Sequence, residues 1–411
     1  MKKKADDREI AYIAAEHQAN LIRLAAAWAA ALNDAVKGSD NELLGAIGEM
    51  IPDNDIADYS ADAQKKYLEL QKRILLLRAK SFRAALEYMT RQSEALAANE
   101  EKWAKAISKR IAAPQSGFSP VGSGRISAVV RYAAVEDGMT LEESIQSAAE
   151  EDARRISAIC RDGLRRDRSI DEISRSLRGT KAANYEDGVL NVSRAEAEQL
   201  ARTGCCAIAD EAKMQFYLAN TDVIRGVRHV ATLSGNTCLV CGSYDGMVWK
   251  IPEEVHLIPK LGIHPNCRCV HLPVTDMDDI NSSTRPAEAA NFWKEAEEEY
   301  NRKYPGKRFP DLARSTRLKY YYEAQKNYEK RTGRPAFDQV PQNMSFEEWL
   351  KTKDDTYLRQ YFGPTRYALY KQGKLPLRRF INPENNSAFT ISDLKQRDKE
   401  AFRRAGLTPG D

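Results

Sequence analysis

Apolar residues recur at steps of three and four positions along most of this chain, which is the pattern of amphipathic helices. The first 113 residues are predicted to form helices over 6–36, 41–50, 60–99 and 100–111. A stretch rich in proline and glycine follows at 114–125 and is predicted to be a linker or mobile loop.

Helix-start signals mark the next part of the chain, up to about residue 220. Thr140 and Glu143 form a capping box, in which each side chain bonds the other residue's backbone N–H. The same type of signal at Ser169 and at Ser193 predicts two further helix starts.

At Asp222 the pattern changes to strand-like alternation. The segment 223–233 is rich in β-branched residues, and shorter strand-like segments follow around Trp249 and after Cys269. These segments predict a small β-meander. A polar linker and further helices over 287–300 and 311–331 follow, with another helix starting at Ser345.

The predicted fold is therefore mainly α-helical, with a small zinc-stapled antiparallel β-module and a helical C-terminal tail. The predicted regions are an N-terminal helical region (1–113), a linker (114–125), a central domain (126–275) whose β-module spans 222–275, a second linker (276–286) and a basic helical C-terminal region (287–411).

Composition and charge narrow the class of protein. The chain has 411 residues, of which 30% are charged, and no apolar run of membrane-spanning length, so we expect no membrane association. The N-terminus lacks the apolar stretch of a secretory signal, which predicts synthesis into a cytoplasm. Residues 285–411 carry 26 Lys and Arg against 18 Asp and Glu. This excess of positive charge is compatible with contact with nucleic acid or an acidic protein surface, and equally with a basic face exposed to solvent.

The candidate chemistry lies between Thr237 and Pro273, where four of the seven cysteines occur. Cys238 and Cys241 have the spacing that lets two thiolates bind one ion from a single turn, and His264 and Cys267 repeat it. These four residues are the favoured ligand set. Cys269 is an alternative ligand that would complete an all-cysteine set in place of His264, because alternate residues of a strand share a face. A sulfur-rich set favours zinc.

The remaining glycine, histidine and cysteine residues of interest are not expected to bind the metal. Gly242, directly after Cys241, is expected to need a left-handed backbone. His256 and His271 lie outside both turns and are not expected to be ligands. The remaining cysteines fall inside predicted helices and are expected to be small buried apolar residues: Cys160, Cys205 and Cys206.

The order of the ligands favours a structural zinc over a catalytic zinc. A zinc deaminase would show H-x-E before P-C-x-x-C, whereas here C-x-x-C comes first and Asn266 stands where the catalytic Glu would be. A thioredoxin-like use of Cys238 and Cys241 would require a βαβ setting.

These motifs resemble the phage Mu F-like head morphogenesis family. The residues that carry the resemblance are Ala201-Arg202-Thr203, Thr237-Cys238, Cys241, Asp245-Gly246 and His264-Pro265-Asn266-Cys267-Arg268-Cys269. One departure is Gly204, since the family often has Glu after A-R-T.

The resemblance implies a non-enzymatic minor head protein of a tailed phage or prophage, present in the host cytoplasm during assembly and then inside the virion head near the portal. It implies the portal protein and a major capsid or scaffolding protein as partners, with packaged double-stranded DNA as a further contact. Two alternatives are an ADP-ribosyltransferase or nuclease effector fused to such a domain, and a zinc-stabilised nucleic-acid-binding protein.

Overall fold

The structure is a computed structural model, and it describes residues 7–50, 61–112, 116–135, 138–166, 168–183, 185, 187–261, 269–275, 284–312, 314–333, 336–341, 344–384 and 387–407.

Long helices build the first half of the molecule. They are α1 (Asp7–Gly38), α2 (Asp40–Met50), α3 (Ala61–Ile111), α4 (Ser123–Tyr132), α5 (Leu141–Arg165), α6 (Ile170–Arg178) and α7 (Val189–Leu218). Helices α1, α3, α5 and α7 share one hydrophobic core, in which Trp28, Met89 and Ile208 are fully buried. The burial of these apolar faces is the main source of stability for helices of this kind.

Two helix boundaries differ from the sequence predictions. The segments 60–99 and 100–111 form one helix, α3, because the buried stripe continues without a break from Ala97 to Ala104. Ser193 was predicted to start a helix but lies inside α7, which begins after Gly188. Its buried hydroxyl instead donates to the carboxylate of Asp152.

The capping boxes at Thr140, Ser169 and Ser345 are confirmed. In each box the Ser or Thr oxygen accepts from the backbone N–H three residues later, and the Glu there accepts from the first residue's N–H. These signals are local in sequence, which is why they could be recognised without tertiary information.

The β-module contains a three-stranded antiparallel sheet of β1 (Gly226–Val230), β2 (Val248–Lys250) and β3 (Val270–Val274). The strand order is β2-β1-β3, so the prediction of a meander was wrong. The chain places β2 on one side of β1 and then returns to pair β3 on the other side. A short helix, α8 (Leu239–Tyr244), lies between β1 and β2.

The C-terminal region is mainly helical but also contains strands that the sequence did not predict. Its elements are β4 (Thr284–Glu288), α9 (Phe292–Lys303), α10 (Arg314–Thr332), β5 (Phe337–Pro341), α11 (Phe346–Lys351), α12 (Asp355–Phe362), α13 (Pro364–Lys371), β6 (Ile381–Asn382), β7 (Ser387–Ala388), α14 (Ile391–Arg397) and α15 (Lys399–Arg404). The predicted helix at 287–300 starts only at Phe292, because Ala287 and Glu288 pair with β5.

The β-module is held on both sides by hydrogen bonds. On one side, the Tyr217 hydroxyl of α7 donates to the carbonyl oxygen of His271 at 3.2 Å. On the other side, a carboxylate oxygen of Asp245 accepts from the backbone N–H of Phe346 at 2.8 Å. Across the described residues, no helix has the length and apolar character needed to cross a bilayer.

Candidate metal centre

The C-x-x-C segment forms the start of α8. Cys238 is the N-cap residue, and its sulfur accepts a hydrogen bond from the backbone N–H of Cys241 at 3.3 Å. Such a bond favours the thiolate, which is the form that binds metals. Cys241 itself is buried, so the first turn presents its second sulfur to the protein interior.

The second predicted turn is only partly within the described part of the chain. Cys269 is buried and lies directly before β3. His264 and Cys267 fall in 262–268, outside the described residues, so their membership of the ligand set stays a prediction.

A histidine that the sequence reasoning missed joins these sulfurs. His229 of β1, Cys241 and Cys269 each offer a ligand atom, and all three atoms lie within 4.8 Å of one another. Four ligands around a tetrahedral zinc, with bonds of about 2.0–2.3 Å, lie roughly 3.5–3.8 Å apart. A shift of about 1 Å or less would therefore bring the three atoms to zinc-binding distance.

The sheet register explains how His229 reaches the cluster. His229 is paired with His271 across β1 and β3. Cys269 precedes His271 by two positions, and residues two apart on a strand point to the same face. In the sequence, the alternation of Cys269 with His271 indicates only that these two residues share a face. That His229 lies beside them could not be predicted without knowing that β1 pairs with β3.

A buried hydrogen-bonded chain leads from α7 to His229. The Nδ1 atom of His271 lies 2.9 Å from one carboxylate oxygen of Asp210 and 3.1 Å from the other. The Nε2 atom of His271 lies 3.2 Å from Nδ1 of His229. Both imidazoles are buried within the protein.

The charge state of Asp210 fits this chain. Burial by itself raises the pKa of a carboxyl group, but at Asp210 the hydrogen bond from His271 and the positive charge of Lys213 bring the pKa below its ordinary value. Asp210 is therefore a carboxylate at neutral pH and accepts from His271.

The Asp245-Gly246 turn holds the strand that carries His229. Asp245 accepts from the backbone N–H of Ala231 at 2.8 Å, and the N–H of Gly246 donates to the carbonyl oxygen of His229 at 2.9 Å. Gly246 has a φ of +79°, a conformation that favours glycine. This turn therefore needs the Asp-Gly pair that the sequence contains.

Gly242 has a different role from the predicted one. It is helical within α8 and does not adopt a left-handed backbone, so that prediction was wrong. A Cβ atom placed on it would lie 2.5 Å from Cδ1 of Phe346. The glycine therefore permits close packing of the C-terminal region against the C-x-x-C helix.

The departure from the A-R-T pattern also has a steric reason. Gly204 is buried within α7, and a Cβ atom there would lie 2.9 Å from Cδ1 of Leu141. A Glu side chain would therefore displace the side chain of Leu141 and enter a buried position.

Two of the three cysteines predicted to be buried apolar residues are fully buried. Cys160 and Cys205 are fully buried, whereas Cys206 is partly exposed. Burial raises the pKa of the Cys160 thiol to about 12, which makes this sulfur a poor nucleophile.

Taken together, two thiols and one imidazole meet in a buried position and form a donor set that can hold a metal ion. Sulfur and imidazole ligands are those that zinc takes in closed structural sites. The cluster joins β1, α8 and the start of β3, so an ion bound there would connect elements that are distant in sequence.

The comparisons with known proteins agree with the resemblance seen in the sequence. Residues 96–272 match the family described as Phage Mu protein F like protein. No curated protein and no solved structure matches the chain significantly. The matched range runs from within α3 to β3 and includes the helices α4 to α7, the C-x-x-C segment and all three residues of the cluster. Over residues 96–272, the chain is therefore similar to the phage Mu protein F-like family.

Proposed function

We propose that this chain is a structural minor head protein of a tailed phage or prophage, which acts in procapsid assembly at the portal and the inner capsid surface. The observation that carries this proposal is the family match over residues 96–272. The family points to phage head morphogenesis. The portal, the major capsid protein or a scaffolding protein are the partners that such a role requires.

The proposed role is architectural and not enzymatic. The clustered donors are buried, and the elements around them are held by hydrogen bonds to α7 and to the C-terminal region. A catalytic metal keeps one position open to substrate, whereas a buried sulfur-rich set suits a closed site that only stabilises the fold.

We propose that the bound ion is a structural zinc. Cys238 and Cys241 supply thiolates from the first turn, and Cys269 supplies one from the second. His264 and Cys267 remain candidate ligands. Because ligands on separate segments must converge to bind the ion, the binding free energy adds to the stability of the folded module.

The basic C-terminal region is the proposed contact with packaged DNA. Its exposed cationic side chains include Arg378, Arg379, Lys399 and Arg403. Arg and Lys bind the phosphate backbone without sequence preference, and such binding weakens as salt rises. A nucleic-acid contact of this type is compatible with a position inside the head.

The test is co-assembly with the portal. The full chain is expressed with the portal protein of the same phage or prophage, and complexes are isolated from assembling heads. The proposal expects the chain and the portal to co-purify, and it expects an unrelated phage's portal to recover none of the chain. Assembling heads that contain this chain but never yield a portal complex would overturn the portal role.

A second measurement tests the zinc separately. Elemental analysis of the purified full chain is expected to give about one zinc per chain. The Cys238→Ser variant should lose the metal, whereas Cys160→Ser, which changes a buried cysteine outside the cluster, should retain it. A metal-free protein of unchanged stability would exclude the zinc and leave the portal test unaffected.

A further inference from the structure

The ring nitrogens of the buried chain have a defined order. A neutral imidazole carries one N–H donor and one lone-pair acceptor. With Asp210 as a carboxylate and His271 as a neutral imidazole, His271 donates from Nδ1, because that atom lies 2.9 Å from the carboxylate. The Nε2 atom of His271 then carries the lone pair.

The same logic continues to His229. Its Nδ1 atom lies 3.2 Å from Nε2 of His271. Since that Nε2 is an acceptor, Nδ1 of His229 carries the hydrogen and donates it. The lone pair of His229 is thereby placed on Nε2.

This order is the one that a metal-binding histidine requires. Histidine ligands usually donate their second ring N–H to a carboxylate or another acceptor, which fixes the tautomer and the orientation of the ring. In this protein the acceptor is a second histidine, which is itself oriented by a carboxylate from α7.

We infer that His229 is the nitrogen ligand of a Cys3His zinc site with Cys241, Cys269 and one further cysteine, and that Asp210 and His271 are its positioning residues. This inference rests on the proposed zinc ion. It puts the nitrogen ligand on β1, whereas the sequence alone had favoured His264. We assign the third sulfur to Cys238.

Cys238 is well placed for that position. It begins the helix that carries Cys241, and it packs against the small cluster formed by Ala231, Cys241, Leu261 and Cys269. Its sulfur accepts the Cys241 N–H, which holds the two cysteines in one turn, and it would have to move toward the three ligand atoms that already lie within 4.8 Å of one another.

The site would couple α7 to the sheet. Asp210 also accepts from the backbone N–H of Leu261 at 3.4 Å, in the segment that leads to the second ligand turn. Zinc binding and the packing of α7 against the β-module therefore depend on the same carboxylate.

The first experiment is zinc X-ray absorption on the full-length zinc-loaded chain. Imidazole gives a characteristic multiple-scattering signal, which separates three sulfurs and one imidazole from four sulfurs. The inference expects one imidazole per zinc. Four-sulfur coordination would overturn the His229 assignment and leave the zinc proposal intact, whereas a chain without zinc would remove both.

Matched variants then identify the histidine. His229→Gln is expected to remove the imidazole signal and to weaken zinc binding at least tenfold in competition with a chromogenic chelator. His264→Gln, the same change in the second turn, should alter neither quantity. If His264→Gln removes the imidazole signal and His229→Gln retains it, the inference is wrong.

The positioning role has its own readout, which also covers the case in which His229→Gln does not fold. In ¹⁵N-labelled protein, the five histidines can be distinguished by long-range ¹H–¹⁵N spectra, which report the tautomer of each ring. His229 should be protonated at Nδ1 and metal-bound at Nε2.

Substitutions of Asp210 test whether this order depends on the carboxylate. Asp210→Ala should weaken zinc binding roughly 10- to 100-fold, the usual effect of losing an outer-shell partner, and should perturb the His229 signals. Asp210→Asn keeps an acceptor oxygen and should restore most of both. Unchanged zinc affinity and unchanged His229 signals in Asp210→Ala would refute the positioning role.

Discussion

A buried arginine provides the sharpest test of how the helical region is held together. Arg78 of α3 is fully buried, with its Nη1 3.0 Å from a carboxylate oxygen of Asp40 and its Nε 2.9 Å from a carboxylate oxygen of Asp152. Nη1 also donates to the carbonyl oxygen of Val36 and to the hydroxyl of Ser39, at the junction of α1 and α2. This side chain therefore connects α1, α2, α3 and α5.

Replacing Arg78 with Met should be strongly destabilising. The substitution keeps most of the apolar volume but leaves the buried carboxylates of Asp40 and Asp152 with only their more distant cations, Arg194 at 3.4 Å and Arg155 at 3.8 Å. Breaking a buried ion pair from one side costs about 3–5 kcal/mol. At about 1.4 kcal/mol per factor of ten, this lowers the ratio of folded to unfolded protein by roughly a hundredfold to several thousandfold.

The same helix offers a matched control. Arg73 lies 3.9 Å from Glu42, and the two side chains are 53% and 50% exposed. Solvent screens such a pair, so Arg73→Met should cost at most about 1 kcal/mol. Urea unfolding followed by circular dichroism measures both variants. Equal effects of the two substitutions would refute the assignment of a large stability contribution to Arg78.

The loss of stability caused by Arg78→Met should also depend on pH. Burial raises the pKa values of Asp40 and Asp152 above their ordinary range, although Arg78 partly opposes this shift. A carboxyl group with a raised pKa in the folded state favours folding when it is protonated, and this contribution is lost as pH rises through that pKa. Without Arg78 both pKa values rise further. The deficit of Arg78→Met should therefore shrink as the pH falls from 7 toward about 5, and a deficit independent of pH would contradict this account.

Three further predictions concern the β-module and its neighbours. A chelator that removes the proposed zinc should speed hydrogen exchange in β1 and β3 but not in α3, as measured by mass spectrometry. Equal exchange with and without chelator would argue against a metal that holds the sheet. Gly242→Ala should lower the free energy of unfolding by about 1–3 kcal/mol, because the new methyl group meets Phe346. The control Gly45→Ala in α2, whose methyl group meets no atom within 4 Å, should be neutral or stabilising. Urea unfolding measures both variants, and equal effects would contradict the packing argument. Glu288 accepts hydrogen bonds from Tyr321 and Gly235, and burial raises its pKa, so the free energy of unfolding should fall as pH rises through that pKa. Glu288→Gln should flatten this dependence when unfolding is measured between about pH 4 and 7. A slope as steep as in the parent protein would exclude Glu288 as its source.

Local signals in the sequence predicted much of the fold. The helices, the breaks after Gly38 and the capping boxes at Thr140, Ser169 and Ser345 depend on residues within one or two turns of each other. The C-x-x-C pair is likewise local. Such features are encoded in short windows, and the structure reproduces them with shifts of a few residues.

Strand order could not be obtained in this way. The central position of β1 depends on which strands pair after the chain has returned from a distance of about 40 residues, as in the pairing of Val230 with Val270. The strands β4 and β5 were missed for the same reason, since their residues pair across the intervening helices α9 and α10.

The candidate site shows the same division. The sequence by itself indicated candidate ligands in two short turns, Cys238 with Cys241 and His264 with Cys267 and Cys269, because the spacing within each turn is local. Only the tertiary structure decided that His229 meets Cys241 and Cys269 and that Asp210 and His271 stand behind it, because these contacts require β1, β3 and α7 to pack together. Spacing along a chain specifies a turn, whereas the position of a partner 40 or 60 residues away is fixed by strand register and core packing.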